Sequence, residues 1–141
     1  MVDENKVLLK EIEKYAKENK VPIMQKDGIK FLNNYVQEQG VKSILEVGTA
    51  IGYSAICMAL VDPKIKITTI ERDETNYMEC LKNVKKCGFE GKINVVFQDA
   101  LEVNLAEGTK YDLIFIDAAK GQYKKFFEKY QYFLSPNGAI V

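Results

Sequence analysis

Ser43-Ile44-Leu45-Glu46-Val47-Gly48-Thr49-Ala50-Ile51-Gly52-Tyr53-Ser54 changes character twice within twelve residues. Ile44, Leu45 and Val47 form a short apolar run with β-branched members, as a buried parallel strand does. Glu46 interrupts that run with a carboxylate. Gly48 and Gly52 bracket a tight turn, and an apolar helical pattern starts at Tyr53. The order is strand, glycine-bearing loop, helix. In an open α/β sheet, ligands bind beyond the carboxyl ends of the strands, where such loops lie. Glycine lets backbone approach a ligand without a Cβ in the way, and a helix start turns unpaired N–H groups toward it.

Outward from this stretch, strands alternate with helices. Helices are expected over residues 3–19 (Leu8, Ile12 and Tyr15 at helical spacing) and 27–39 (Ile29, Leu32 and Val36, with Gly40 as the stop). Pro22 breaks the chain between them. Strands are expected at 43–47, 66–71, 93–97 and 111–117, with a fifth starting at Ala139 after a Ser135-Pro136-Asn137-Gly138 turn. Crossover helices are expected at 53–60, 73–86, 101–107 and 122–133. This alternation predicts α/β architecture: a parallel sheet with helices on both faces. The 141 residues suit a single domain, residues 1–40 being N-terminal helices and 41–141 a βαβ core ending within strand five.

Composition narrows the chemistry. Apolar residues make up 47%, enough for a core. Twenty basic residues balance twenty acidic ones, which argues against a broad basic face for nucleic acid. A local patch of Lys82, Lys85, Lys86 and Lys92 could meet RNA phosphates, or could be a solvated helix face. The absence of histidine removes Ser-His-Asp and Cys-His catalysis, and any metal must be held by oxygen ligands. Cys57, Cys80 and Cys87 form no C-x-x-C pair and read as core or half-buried thiols, which fits a reducing cytoplasm. No signal region or run of transmembrane length is present in these residues.

Glu46, Glu71, Asp99 and Asp117 each end or follow an expected strand, so a parallel sheet brings them to one rim. The alternative for each is an ordinary solvated carboxylate. Glu71 lies about twenty residues past the glycine turn, where an acidic side chain can take both hydroxyls of a ribose.

Glu46-Val-Gly-Thr-Ala-Ile-Gly-Tyr-Ser54 resembles the first cofactor motif of class I S-adenosylmethionine-dependent methyltransferases. More narrowly it resembles that of the cation-dependent O-methyltransferases, the catechol and caffeoyl-CoA type, and the likeness covers nearly the whole chain. It implies a Rossmann-like class I methyltransferase fold. The loop lacks the G-x-G-x-x-G spacing that brings backbone against a pyrophosphate, so a nicotinamide dehydrogenase is disfavoured. By the resemblance, Glu46 belongs with the cofactor-binding group, Glu71 holds the ribose hydroxyls and Ser54 meets the methionyl carboxylate. Gly48 lines the methionyl end, and Asp99 and Ala100 lie along the adenine. Met24, in a segment that folds over the cofactor, packs near the sulfonium or simply packs.

Ile114-Phe-Ile-Asp117-Ala-Ala-Lys120-Gly-Gln-Tyr123 carries the second likeness. There the family has Asp117 as a cofactor-side metal ligand for Mg²⁺ or another divalent cation, and Lys120 as the base that deprotonates the acceptor hydroxyl. A cation and partial burial would lower the lysine pKa, and the cation would stabilise the oxyanion. Methyl transfer is then in-line attack, with orientation supplying much of the rate. Within the family, the two motifs look most like bacterial enzymes that methylate 5-hydroxyuridine in tRNA, and a homodimer is implied.

The family completes its metal site with an Asp-Asn pair at the end of strand five, and adds an antiparallel pair of strands beyond it. The sequence stops before these, as a fragment or a short form, so the metal site is expected to be incomplete and the chain weak or inactive by itself. The competing expectation is a non-catalytic S-adenosylmethionine-binding domain.

Overall fold

The computed structural model describes residues 2–117 and 122–141. Helix α1 (Val2–Glu18) and helix α2 (Lys26–Glu38) precede strand β1 (Ser43–Val47). Helix α3 (Tyr53–Ala59), strand β2 (Lys66–Glu71), helix α4 (Glu74–Lys86) and strand β3 (Ile93–Phe97) follow. Strand β4 (Tyr111–Ile116), helix α5 (Tyr123–Tyr130), a 3₁₀ turn at Gln131–Phe133 and strand β5 (Leu134–Ile140) complete the order.

The five strands pair in parallel in the order β3-β2-β1-β4-β5. The chain therefore runs outward from β1 to β2 and β3, then crosses back to place β4 on the other side of β1. That reversal is the switch point at which an open α/β sheet forms its ligand crevice.

Alternation along the strands builds two cores. Ile44, Ile67, Ile93, Leu113 and Phe115 face α1 to α4, where they meet Ile12, Leu32, Ile56 and Val84. Leu45, Val47, Ile70, Ile114 and Ile116 face the other way, onto Phe126 and Tyr130 of α5. Helices thus cover both faces, as expected, and each fully buried Ile or Leu contributes about 1.5–3 kcal/mol. Ile29, Leu32 and Val36 form the buried stripe of α2. Asp73 caps α4, accepting from the Asn76 amide at 2.9 Å. Cys57 and Cys80 are buried free thiols and Cys87 is half-buried.

Two elements differ from expectation. Residues 101–107 form turns and irregular backbone rather than a helix. Leu101, Val103 and Leu105 recur every second residue, a period that no helix face uses. β5 begins at Leu134, ahead of the expected turn. Tyr111 pairs with Leu134 and Leu113 with Ala139, so residues 135–138 bulge out between two ladder contacts. No helix among the described residues is long and apolar enough to cross a membrane.

Candidate functional site

Val47 and Ile116 end the two strands that flank the switch point. Immediately beyond them the chain closes tightly. The Asp117 amide donates to the Val47 carbonyl at 2.9 Å, and the Gly48 amide donates to the Ile70 carbonyl at 2.9 Å. Gly48 has φ +87°, and a Cβ there would lie 2.1 Å from the Asp117 carbonyl oxygen. Only glycine meets both conditions.

The loop that follows is held from two sides. In front, Glu71 Oε1 accepts from the Ala50 amide at 2.8 Å and Oε2 from the Asp73 amide at 2.9 Å. Ala50 sits at φ +52°, a left-handed conformation that costs a residue with a Cβ roughly 1–2 kcal/mol. From beneath, Asn83 Nδ2 donates to the Ile51 carbonyl at 2.9 Å. The thiol of Cys80 fills the space a Cβ on Gly52 would need, 2.9 Å from it. Burial pushes that thiol up to about 12, so it packs as a neutral group.

The rim encloses a cleft of about 390 Å³. Gly48, Glu71, Asp99, Ala100 and Asp117 line it, so five of the residues singled out from the sequence converge. Val47, Ile70 and Phe126 supply an apolar wall. Pro22 and Gln122 close it from the two halves of the chain. Crowding by these walls raises the Asp117 carboxyl above its ordinary value.

Glu46 and Ser54 lie elsewhere. Glu46 is wholly buried below the loop, facing α3, and neither residue lines the cleft. The Ser54 hydroxyl donates to Glu46, and Thr69 Oγ1 donates to it at 2.6 Å. Burial raises the Glu46 carboxyl despite the hydroxyl donors, Ser54, Thr69 and Thr49, that favour its ionised form. Thr49 and Thr69 gave no signal in the sequence, because a hydroxyl in a loop or strand is common. Met24 packs over Gly28 and lines a separate cavity of about 710 Å³ beside Glu13 and Tyr53, away from the strand ends. Nearby Pro22 lines the cleft, and Val21 lines both cavities.

Lys120 falls outside the described residues. The described residues contain no group of three Asp, Glu, Cys or His able to hold a metal ion. Asp117 alone does not fit Mg²⁺, which prefers octahedral oxygen coordination. Of the candidate basic patch, Lys92 is engaged inward, donating to the carbonyls of Ala59 at 2.6 Å and Asp62 at 3.1 Å. Lys82 and Lys86 stand beside Glu11 and Glu79 in a crevice, so the positive charge there is interleaved.

Glu71, Asp99 and Asp117 give the cleft an acidic donor set, with Arg72 the cation among its lining residues. Carboxylates suit a ligand bearing hydroxyls and positive charge, and repel a pyrophosphate. S-adenosylmethionine, with a ribose diol, an ammonium and a sulfonium, fits that set.

A profile of the family described as O-methyltransferase matches residues 1–141. The chain is 34% identical over 116 residues to tapetum-specific methyltransferase 1 of Arabidopsis thaliana, covering 79% of this chain and 50% of that protein. It is 35% identical over 104 residues to a catechol O-methyltransferase of Niastella koreensis, covering 70% and 47%. The chain thus spans about half the length of these curated relatives. Among solved structures, an O-methyltransferase from Bacillus cereus in complex with S-adenosylhomocysteine superposes with a TM-score of 0.86 at 27% identity, covering 95% of this chain and 64% of that one.

Proposed function

The chain belongs to the O-methyltransferase family, and from that premise we propose that its cleft binds S-adenosylmethionine and serves methyl transfer to an acceptor hydroxyl. The observation that carries the reading is the convergence of Gly48, Glu71, Asp99, Ala100 and Asp117 on one cleft at the switch point of the sheet. The S-adenosylhomocysteine complex of the Bacillus cereus relative supports it.

When bound, the cofactor supplies an electrophilic methyl group on a sulfonium. Glu71 uses its two remaining lone-pair directions for the ribose hydroxyls, because each oxygen already accepts one backbone N–H. Gly48 admits the methionyl end close to backbone, and Asp117 offers that end a carboxylate. Asp99 and Ala100 flank the adenine. The family motif assigns Ser54 to the methionyl carboxylate; here its hydroxyl donates to the buried Glu46, outside the cleft lining. Lys120 takes the acceptor proton, by its place in the family motif. The described residues hold no group of three acidic side chains able to bind a divalent cation, and Asp117 is the one metal ligand that the family motif names among them.

The acceptor proposed is 5-hydroxyuridine in tRNA, on the likeness of the two motifs, in a cytoplasmic homodimer. The second reading is a cofactor-binding domain without turnover, favoured by the lone Asp117. Mass spectrometry of undermodified tRNA incubated with the chain and S-adenosylmethionine, with and without Mg²⁺, tests both. A 14-dalton gain on 5-hydroxyuridine is the expected product. Methylation of a catechol alone would reassign the acceptor. Cofactor binding without any methylated product would favour the second reading.

A further inference from the structure

The turn after β3 is anchored by two consecutive side chains of α5. The Ala100 carbonyl accepts from Lys129 Nζ at 2.8 Å and from the Tyr130 hydroxyl. Lys129 Nζ also donates to the Val103 carbonyl at 2.6 Å. The ammonium lies 5.1 Å from the centre of the Tyr130 ring. Within the turn, Asp99 Oδ1 accepts from the Leu101 amide at 2.9 Å, and the Asp99 carbonyl accepts from the Glu102 amide at 2.8 Å. Tyr130 is fully buried and Ala100 nearly so.

This arrangement exceeds what packing needs. Two apolar residues at the end of α5 would bury comparable surface without partly desolvating an ammonium, whose pKa burial lowers. What the donors add is orientation. With its carbonyl tied inward twice, the Ala100 backbone cannot rotate without breaking both bonds. Asp99 and Ala100 therefore keep their cleft-facing side in place. Neither Lys129 nor Tyr130 lines the cleft. The first turn of the same helix carries Phe126 into the cleft wall.

Resting on the reading of the cleft as an S-adenosylmethionine site, we propose that Lys129 and Tyr130 are positioning residues for its adenine end. From α5 they hold Asp99 and Ala100 against the base, and so set the preference for adenine over other purines.

Calorimetric titration with S-adenosylhomocysteine and with S-inosylhomocysteine, in which an oxo group replaces the 6-amino group, reads this preference directly. The wild-type chain is expected to favour the adenine ligand by about tenfold or more, the ratio one charge-assisted hydrogen bond sets. Lys129→Met keeps the aliphatic stem and removes the donors. It is expected to bring the ratio toward one while circular dichroism stays unchanged. Tyr130→Phe keeps the ring and is expected to reduce the ratio part of the way. It carries the test alone if Lys129→Met does not fold. A general loss of stability would weaken both ligands alike and leave the ratio intact. Folded variants that keep the wild-type ratio overturn the proposal. A wild-type chain that binds both ligands equally overturns it while the cleft reading stands, and one that binds neither removes the cleft reading itself.

Discussion

Glu46 occupies a strand position where an aliphatic side chain would pack at lower cost. Its carboxyl is wholly buried, and burial raises it from the ordinary 4.5. An acid raised in the folded state holds more protons folded than unfolded between its two pKa values. Glu46 therefore supports the fold most fully below its unfolded value, and that support is lost as pH rises through the folded one. Glu46→Gln keeps the shape and one acceptor without titrating. Urea unfolding between roughly pH 4 and pH 8 is expected to show a steeper decline with pH for the wild type than for Glu46→Gln; parallel profiles would remove the argument. Gly48 gives a sharper expectation. Its φ of +87° and the Asp117 carbonyl 2.1 Å from the would-be Cβ leave no room for a side chain. Gly48→Ala is expected to lose more than about 2 kcal/mol of stability and all measurable S-adenosylhomocysteine binding. Chemical denaturation and calorimetry on the same sample check both. The glycine was legible in the sequence, because strand-turn-helix order demands a tight turn after Val47. The burial of Glu46 was not. Its position at a strand end grouped it with the rim carboxylates, whereas its side chain shares the face of Ile44 and points under α3.

Helix α4 places Asn76 in the cleft lining and supports the glycine loop from outside it through Asn83. Asn83 is buried and supplies the Ile51 carbonyl with its side-chain donor. Asn83→Ala leaves that carbonyl unpaired and is expected to cost about 1–3 kcal/mol, read as a lower urea midpoint with an unchanged slope. A midpoint shift under a few tenths of a molar would mean that water replaces the amide. The strands β1 to β4 followed from apolar runs and caps, since each is short and bounded by glycine, proline or aspartate, and β1, β2 and β4 are largely buried. The chain between β3 and β4 did not, because Leu101, Val103 and Leu105 alternate and the Ala100 and Val103 carbonyls are taken by a distant helix. β5 was misplaced at its start for a related reason. Pro136 and Gly138 punctuate the sequence as a turn does, but here they form a bulge within a strand that has already begun pairing. Contacts such as Lys129 to Ala100, which join residues 29 apart, leave no trace in local pattern.

At the scale of the whole molecule, a chain with no net charge collects carboxylates at one end of its sheet. Raising salt from about 0.05 to 0.5 M should therefore slow association of a cationic ligand more than of its neutral analogue. Stopped-flow comparison of S-adenosylmethionine with S-adenosylhomocysteine reads this, and equal salt dependence would mean the rim charges are already compensated. The two cores on opposite faces of the sheet have a further consequence. Val21 and Pro22 reach the cleft from the segment between α1 and α2 in one layer, and Phe126 reaches it from the other. A ligand seated there is a keystone. It ties together two layers that lie on opposite faces of the sheet. At a hundred times its dissociation constant it should add about 2.7 kcal/mol. That gain should appear in amide hydrogen exchange as slower opening in α2 and α5 together, two helices on opposite faces of the sheet.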